Sequence, residues 1–468
     1  MKKKFYITTA LPYVNYTPHA GFALEIIQAD VIVRYHRLLG EEVFFLTGTD
    51  ENSLKNVQTA KEEGIPIKKL VDRNAGKFKA LKGALNLSFD DFIRTTEERH
   101  VKGAQKLWQA CQKDIFKKKY NGLYCVGCEE FYKESELVNG LCPEHKTKPS
   151  LVEEENYFFR LSKYQNQLKK IIKKDQVKII PQTRKNEVLS FINQGLEDIC
   201  ISRLAQRGEG WGILVPGDKS QILWTWYDAL SSYINAVGYS DNPKRFKKWW
   251  PADVHIIGKG VTRFHAIYWL AILLSAKLSL PKKIFVHGYL TSGGQKMSKT
   301  LANVIDPFEL VKKYGTDPVR YFLLREIPPT EDGDFSYEKL EGRYNADLAS
   351  GLGNLVARVI TLAKNAKPEI SDIKLQTEIN KTHKNYKKFL EGFKFNQALI
   401  AIWELISFCD RYIEKEKPWQ ARDQKVINNL LFAVKEIAKI LQPFLPETSE
   451  KILQQLKDKK AKPLFPRI

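Results

Sequence analysis

At 468 residues the chain is long enough for two or three domains with substantial cores, and a 43% hydrophobic content with 25 phenylalanines excludes disorder. Lysine and arginine total 75 against 54 acidic residues, a formal net charge of +21, which points to a polyanionic partner, RNA or DNA before an acidic membrane. The apolar run after Met1 is too short, and too polar at Thr8 and Thr9, for a signal peptide. No uninterrupted apolar stretch reaches the roughly 18 residues of a spanning helix. The expectation is a soluble, cytoplasmic protein with no membrane partner.

In chain order, Phe5-Tyr6-Ile7-Thr8-Thr9-Ala10 predicts a buried strand. A loop then leads to His19-Ala20-Gly21-Phe22, after which Leu24, Ile27, Val31 and Tyr35 recur at helical spacing. Strand, loop and helix N-terminus make an anion site: unpaired amides and the helix dipole favour phosphate, Gly21 allows a ligand close to the backbone, and His19 adds a neutral donor. A second strand, 42–47, ends in Gly48-Thr49-Asp50-Glu51, where Asp50 either meets a ligand or caps the next helix. Ligand-like residues after each strand suggest a parallel α/β sheet with its site at the carboxyl ends.

Residues 54–113 read as helices, broken at Gly64-Ile65-Pro66 and at Asp90-Asp91. Cys125-x-x-Cys128 is followed, after thirteen intervening residues, by Cys142-x-x-His145. These two close pairs supply the soft tetrahedral set that zinc prefers and leave no open position, so the site is structural. Six cysteines, three of them grouped with a histidine, fit a metal site in a reducing compartment better than a disulfide framework. The segment 151–217 has mixed character, with strands expected near 157–159 and 201–203, and appears as part of an insertion between two halves of the sheet.

An aromatic run, 222–233, precedes Ile256-Ile257-Gly258-Lys259 and Phe264-His265, another strand-to-helix crossing. A further strand over 283–290 delivers Gly293-Gly294-Gln295-Lys296-Met297-Ser298-Lys299-Thr300, whose two lysines three apart can reach one polyphosphate from a glycine-flanked, moving loop. Aromatics lying between two phosphate motifs point to a side-chain pocket. The Pro/Asp/Gly patch 328–334 reads as a linker turn. From Tyr337 onward the pattern is helical, interrupted at 367–372 and at Lys417-Pro418-Trp419. The expected division is 1–114 and 221–292 for the two halves of a Rossmann-type catalytic domain, 115–220 for the insertion with its zinc knuckle, 293–336 for the lysine loop and stem-contact region, and 337–468 for an all-α bundle.

PHAGF after the first strand and KMSKT after a later one resemble the HIGH and KMSKS signatures of class I aminoacyl-tRNA synthetases. Over essentially its full length the chain resembles the methionyl-tRNA synthetase family, in its single-zinc-knuckle form, through FYITTALPYVNYTPHAG, FVHGYLTSGGQKMSKT and YGTDPVRYFLLREIP. The resemblance implies a methionine–tRNA ligase that forms methionyl-adenylate from methionine and Mg2+-bound ATP and then charges the 3′ adenosine of initiator and elongator methionine tRNAs. It implies ATP binding by His19, Gly21, Lys296, Ser298 and Lys299, with His19, Lys296 and Lys299 catalytic. Methionine would lie against Ala10, Leu11, Tyr13, Trp226, Tyr233, Phe264 and His265, with Asp50 on its ammonium.

Zn2+ would be held by Cys125, Cys128, Cys142 and His145, and the anticodon read by Asn354, Arg358 and Trp419. The enzyme is expected to be a monomer. Three departures from the family pattern stand out: Phe22 replaces the second histidine of HIGH, Asn52 the histidine of TGTDEHG, and Gly260 the acid of Gly-Lys-Asp. They keep open a catalytically impaired tRNA-binding paralogue, beside another class I synthetase.

Overall fold

The computed structural model describes residues 3–144, 146–297, 303–363, 366–421 and 423–468. The chain divides into two compact units, one formed by Met1–Pro18, Gly40–Ala80 and Phe89–His287, the other by His19–Leu39, Leu81–Ser88 and Gly288–Ile468.

The first unit is built on six parallel strands: β1 (Lys4–Thr9), β2 (Glu42–Thr49), β3 (Asp91–Arg94), β4 (Lys178–Ile180), β5 (Val254–Gly258) and β6 (Lys283–His287), in the order β3-β2-β1-β5-β6-β4. After its first residue β1 is buried throughout, and so is β5 up to its last, as expected of central parallel strands covered on both faces. The order runs outward from β1 to β3 on one side and from β5 to β6 on the other. The reversal between β1 and β5 opens a crevice at the carboxyl ends.

Two strands of this sheet were not expected. The Asp90-Asp91 break introduces β3, a strand of four residues, too short to show alternation. The segment 115–220 is not wholly an insertion, because its β4 returns to pair with β6. The remainder of that segment makes its own antiparallel sheet, in which Ile115–Cys125 pairs with Ser150–Phe159, flanked by Glu130–Tyr132 and Ile199–Cys200. A three-stranded sheet centred on Asp218–Leu223 leads through Trp224 into helix Thr225–Asn235.

In the second unit, helix Ala20–Leu38 and the hairpin Leu290–Ser292/Gln295–Lys296 accompany a set of long helices. The expected linker turn instead leads into Gly333–Phe335, a strand parallel to Leu290–Ser292. The helices Ile373–Glu391 and Gln424–Leu441 start on Asp372 and Asp423, whose carboxylates accept amide hydrogens of the first turn. Helix Phe395–Glu416 stops at Lys417 in the left-handed conformation, just before Pro418.

Arg320 organises this unit and is fully buried, as is Asp30, which lies 2.8 Å from its Nη2. The guanidinium also donates to the carbonyls of Leu85, Pro443 and Phe444 at 2.8–3.0 Å. Asp30 in turn accepts from Arg34 at 2.7 Å and from the Ser88 hydroxyl and amide at 2.6 and 2.8 Å. The segment resembling a stem-contact motif therefore spends its arginine on architecture. Burial raises the Asp30 carboxyl, but Arg320, Arg34 and Ser88 outweigh it and hold it below the usual carboxylate range.

Arg320→Ala should cost on the order of 3–5 kcal/mol in chemical denaturation, because it strands a buried charge and three carbonyls. The contribution of Asp30 should be complete above about pH 4 and lost as pH falls through its lowered folded pKa, so the wild-type advantage over the variant should shrink in acid.

Candidate active site

The crevice of the first unit is lined by residues that follow three of its strands. After β1, the Ala10 amide donates to Ile256 O at 3.1 Å, and Tyr13 forms a single parallel bridge with Asp50, which itself follows β2. After β5, Phe264 and His265 lie in a wide π-helical turn, Phe264–Tyr268, of the kind often found at functional sites. The rings make a continuous wall. Trp226 and Phe264 stack at 3.9 Å, Tyr13 and His265 each meet Trp226 edge-on at 6.3 Å, and Tyr233 lies 5.7 Å from His265. Ala10 and Leu11 pack partly buried against the same core.

The wall's polar groups are ordered, with one exception. A carbonyl can only accept, so His265 donates Nδ1–H to Val261 O at 2.9 Å and accepts the Tyr233 hydroxyl on Nε2 at 2.8 Å. Burial lowers its pKa to about 4, which keeps the ring neutral. The exception is the Tyr13 hydroxyl, buried with no hydrogen-bond partner among the described residues.

Asp50 is 1% exposed. Its carboxylate accepts the Thr225 hydroxyl at 3.0 and 3.2 Å and the Asn52 amide at 3.3 Å, and faces no cationic side chain in these bonds. Burial pushes its pKa well above the ordinary range and the charge of Asp228 adds to the rise, against the Thr225 and Asn52 hydrogen bonds. Asp228 is held by the His100 ring and by the Asn52 side-chain amide, the latter at 2.7 Å. Asn52 thus replaces a histidine yet still donates to a buried carboxylate. Thr225, Asp228 and His100 escaped the sequence reading, although an acid inside the aromatic run Trp224–Tyr233 is itself a signal, since a buried charge needs partners.

The phosphate motifs fall in the second unit. His19 is the N-cap of helix Ala20–Leu38, and its Nδ1 accepts the Gly21 amide at 3.0 Å, so the neutral ring carries its proton on Nε2. A Cβ on Gly21 would stand 2.8–2.9 Å from that ring. The glycine therefore makes room for the His19 ring. The Ala20 amide donates to Ile305 O at 2.9 Å, joining this helix start to the segment beyond the lysine loop. Gly293 and Gly294, at φ of 62° and 72°, form a two-residue hairpin turn, and Asp334 accepts the Gly294 amide at 2.8 Å. Lys296 ends the hairpin; Ser298, Lys299 and the Lys296 side chain lie outside the described residues.

The sulfur atoms of Cys125, Cys128 and Cys142 lie within 4.8 Å of one another, those of Cys128 and Cys142 3.4 Å apart. Thiolates around one tetrahedral zinc stand about 3.8 Å apart, so these three could hold a metal ion. His145 lies outside the described residues. Cys111, Cys200 and Cys409 are buried free thiols. In the helical part, Asn354 opens helix Asn354–Leu362, and Arg358, one turn on, lies 5.7 Å from the ring of Trp419, which is 43% exposed. Arg358 also pairs with Glu414 at 2.6 Å.

A parallel sheet with its crevice at the strand ends, joined to a helical domain, suits a class I aminoacyl-tRNA synthetase. The family model for class I tRNA synthetases (M) matches residues 5–148 and 135–360, and that for the anticodon-binding domain of tRNA ligases matches 372–465. The methionine–tRNA ligase of Brucella suis is 42% identical over 97% of this chain and 92% of its own length; that of Thermotoga maritima is 42% identical over 97% and 75%. The structure of Mycobacterium tuberculosis methionyl-tRNA synthetase with methionyl-adenylate superimposes with a TM-score of 0.91 at 38% identity, covering 96% of this chain and 93% of that one. The chain belongs to the methionyl-tRNA synthetase family. These relatives favour neither an impaired paralogue nor another class I synthetase.

An ionised carboxylate with a raised folded pKa costs stability above the pKa of the unfolded chain. Asp50→Asn should therefore raise the melting temperature at neutral pH, with the gain disappearing towards about pH 4. Calorimetry across that range checks the sign.

Proposed function

We propose that the chain charges methionine tRNA through the residues assembled above. The observation that carries this reading is the buried Asp50 carboxylate beside an aromatic wall with an unpartnered Tyr13 hydroxyl: a site for a cationic amine attached to an apolar side chain. Trp226, Phe264, Tyr233, His265, Ala10 and Leu11 enclose the thioether, for which sulfur–aromatic contacts contribute roughly 0.3–1.5 kcal/mol each.

A methionine carboxylate oxygen attacks the α-phosphorus of ATP, and pyrophosphate leaves. A ribose hydroxyl of the tRNA 3′ adenosine then attacks the methionyl carbonyl, and AMP leaves. The protein contributes positioning and charge stabilisation. His19 donates its Nε2–H to a phosphate oxygen, Lys296 and Lys299 neutralise the leaving pyrophosphate with Ser298 beside them, and Mg2+ enters with the ATP. Gly21 acts indirectly, by letting the His19 ring lie over its amide. Cys125, Cys128, Cys142 and His145 would hold one Zn2+, which would cross-link the knuckle. Asn354, Arg358 and Trp419 take unpaired anticodon bases of initiator and elongator tRNAs, with Trp419 as the stacking plane. The enzyme acts as a cytoplasmic monomer.

Methionine-dependent ATP–pyrophosphate exchange tests the first step. Wild type should be active, and Asp50→Asn should lose about 100-fold or more, since a buried charge contact is removed. His19→Asn can still cap the helix and should keep the melting temperature while the exchange kcat falls roughly 10²–10³-fold, the effect of losing a transition-state donor. Unchanged exchange in His19→Asn would remove His19 from the chemistry.

Trp419→Ala should cripple tRNA charging and leave exchange nearly intact. Equal losses in both assays would reduce Trp419 to a packing residue.

A further inference from the structure

Glu129 directly follows the metal-ligand candidate Cys128, and it is used by nothing described so far. It is 2% exposed and adopts φ of 58°, a left-handed conformation that is unfavourable for a side chain of this kind. Such a residue persists only where its surroundings over-determine it, and five donors surround this one. Its Oε1 accepts the Ser53 hydroxyl at 2.9 Å and the Leu54 amide at 2.6 Å, and its Oε2 accepts the Tyr124 hydroxyl at 2.8 Å. Its carbonyl accepts Trp224 Nε1–H at 2.5 Å and Arg203 Nη2–H at 3.1 Å.

These bonds lead to two sides of the crevice. Ser53 caps helix Leu54–Glu62, and Asn56 in its first turn donates to the Asp50 carbonyl at 3.3 Å. The Glu129 carboxylate, placed at that helix start where a negative charge is favoured, therefore fixes the turn that carries Asp50. One residue earlier, the Cys128 carbonyl accepts Trp226 Nε1–H at 3.3 Å, and Trp226 is the ring stacked on Phe264. Two consecutive knuckle residues thus hold the carboxylate side and the aromatic side of one pocket.

We infer that Glu129 is a positioning residue that couples the cysteine knuckle to the methionine pocket, so that the order of the knuckle sets methionine affinity. The inference rests on the pocket reading above, and Asp50→Asn separates the two: methionine binding that survives Asp50→Asn overturns the pocket itself, whatever Glu129 does.

The test is a thermodynamic cycle on the full chain, with methionine and ATP dissociation constants from calorimetry. Glu129→Ala should weaken methionine roughly tenfold, the loss of one buried hydrogen-bonded anchor, and leave ATP within about twofold. Glu129→Gln keeps an acceptor for Ser53 and Leu54 and should restore methionine binding to within about threefold of wild type. Cys142→Ser should weaken methionine in the wild-type background but add little on top of Glu129→Ala, because the link is already cut.

Wild-type methionine affinity in Glu129→Ala, additive losses in the double variant, or equal losses for methionine and ATP would each overturn the inference. Should Glu129→Ala not fold, Ser53→Ala removes a single donor to the same oxygen. It should reproduce the methionine-selective loss at smaller amplitude, and no shift there would overturn the inference equally.

Discussion

The crevice of the first unit depends on a carboxylate that its own surroundings disfavour. Asp50 is useful to a cationic amine only when ionised, yet burial and the charge of Asp228 both push its proton on. The neighbouring groups are arranged to limit that conflict. Thr225 and Asn52 hydrogen-bond the Asp50 carboxylate, while His100 and the Asn52 side chain take up Asp228. What none of these groups supplies is a formal positive charge on Asp50. An ammonium ligand would supply it and recover the desolvation already suffered by the protein, which is how a buried charge becomes affinity instead of mere instability.

The second unit solves the same electrostatic problem in the opposite way. Asp30 is as deeply buried as Asp50, but Arg320 faces it directly and every guanidinium edge meets a carbonyl. The outcome is a carboxyl held low, and a contact satisfied within the fold. The contrast separates two buried acids that look alike in sequence, each an aspartate in or beside an apolar segment. A satisfied pair marks architecture, and a hydrogen-bonded acid without a cation marks a place prepared for one.

Much of this was legible because the local signals were strong and mutually consistent. Buried runs on β1, β2, β5 and β6 announced a parallel sheet, and helix punctuation at Asp372 and at Lys417-Pro418 is chemistry that a sequence displays. β3 and β4 were missed for a physical reason: strands of four and three residues, stabilised by neighbours distant in sequence, carry almost no periodicity of their own. The π-helical turn that presents Phe264 and His265 was illegible for a similar reason, since its geometry comes from packing. At Gly21 the nearest neighbour of a missing Cβ is the His19 ring, which folds back over it. Nothing in a sequence says whether a missing Cβ makes room for a ligand or for the histidine two residues before.

The departures from the family pattern differ in what the structure makes of them. Asn52 has an answer: its side-chain amide makes a 2.7 Å bond to Asp228, so the position still supplies a donor to a buried carboxylate. Gly260 is exposed in a short turn after β5. Phe22 is different, because a phenyl ring donates to no phosphate. On the proposed reading the burden falls on the remaining donors of that helix start, among them His19, whose Nδ1 accepts a backbone amide. Capping the helix through Nδ1 and carrying hydrogen on Nε2 are one and the same constraint. The same bond that caps the helix thereby sets which ring nitrogen of His19 has a hydrogen to donate.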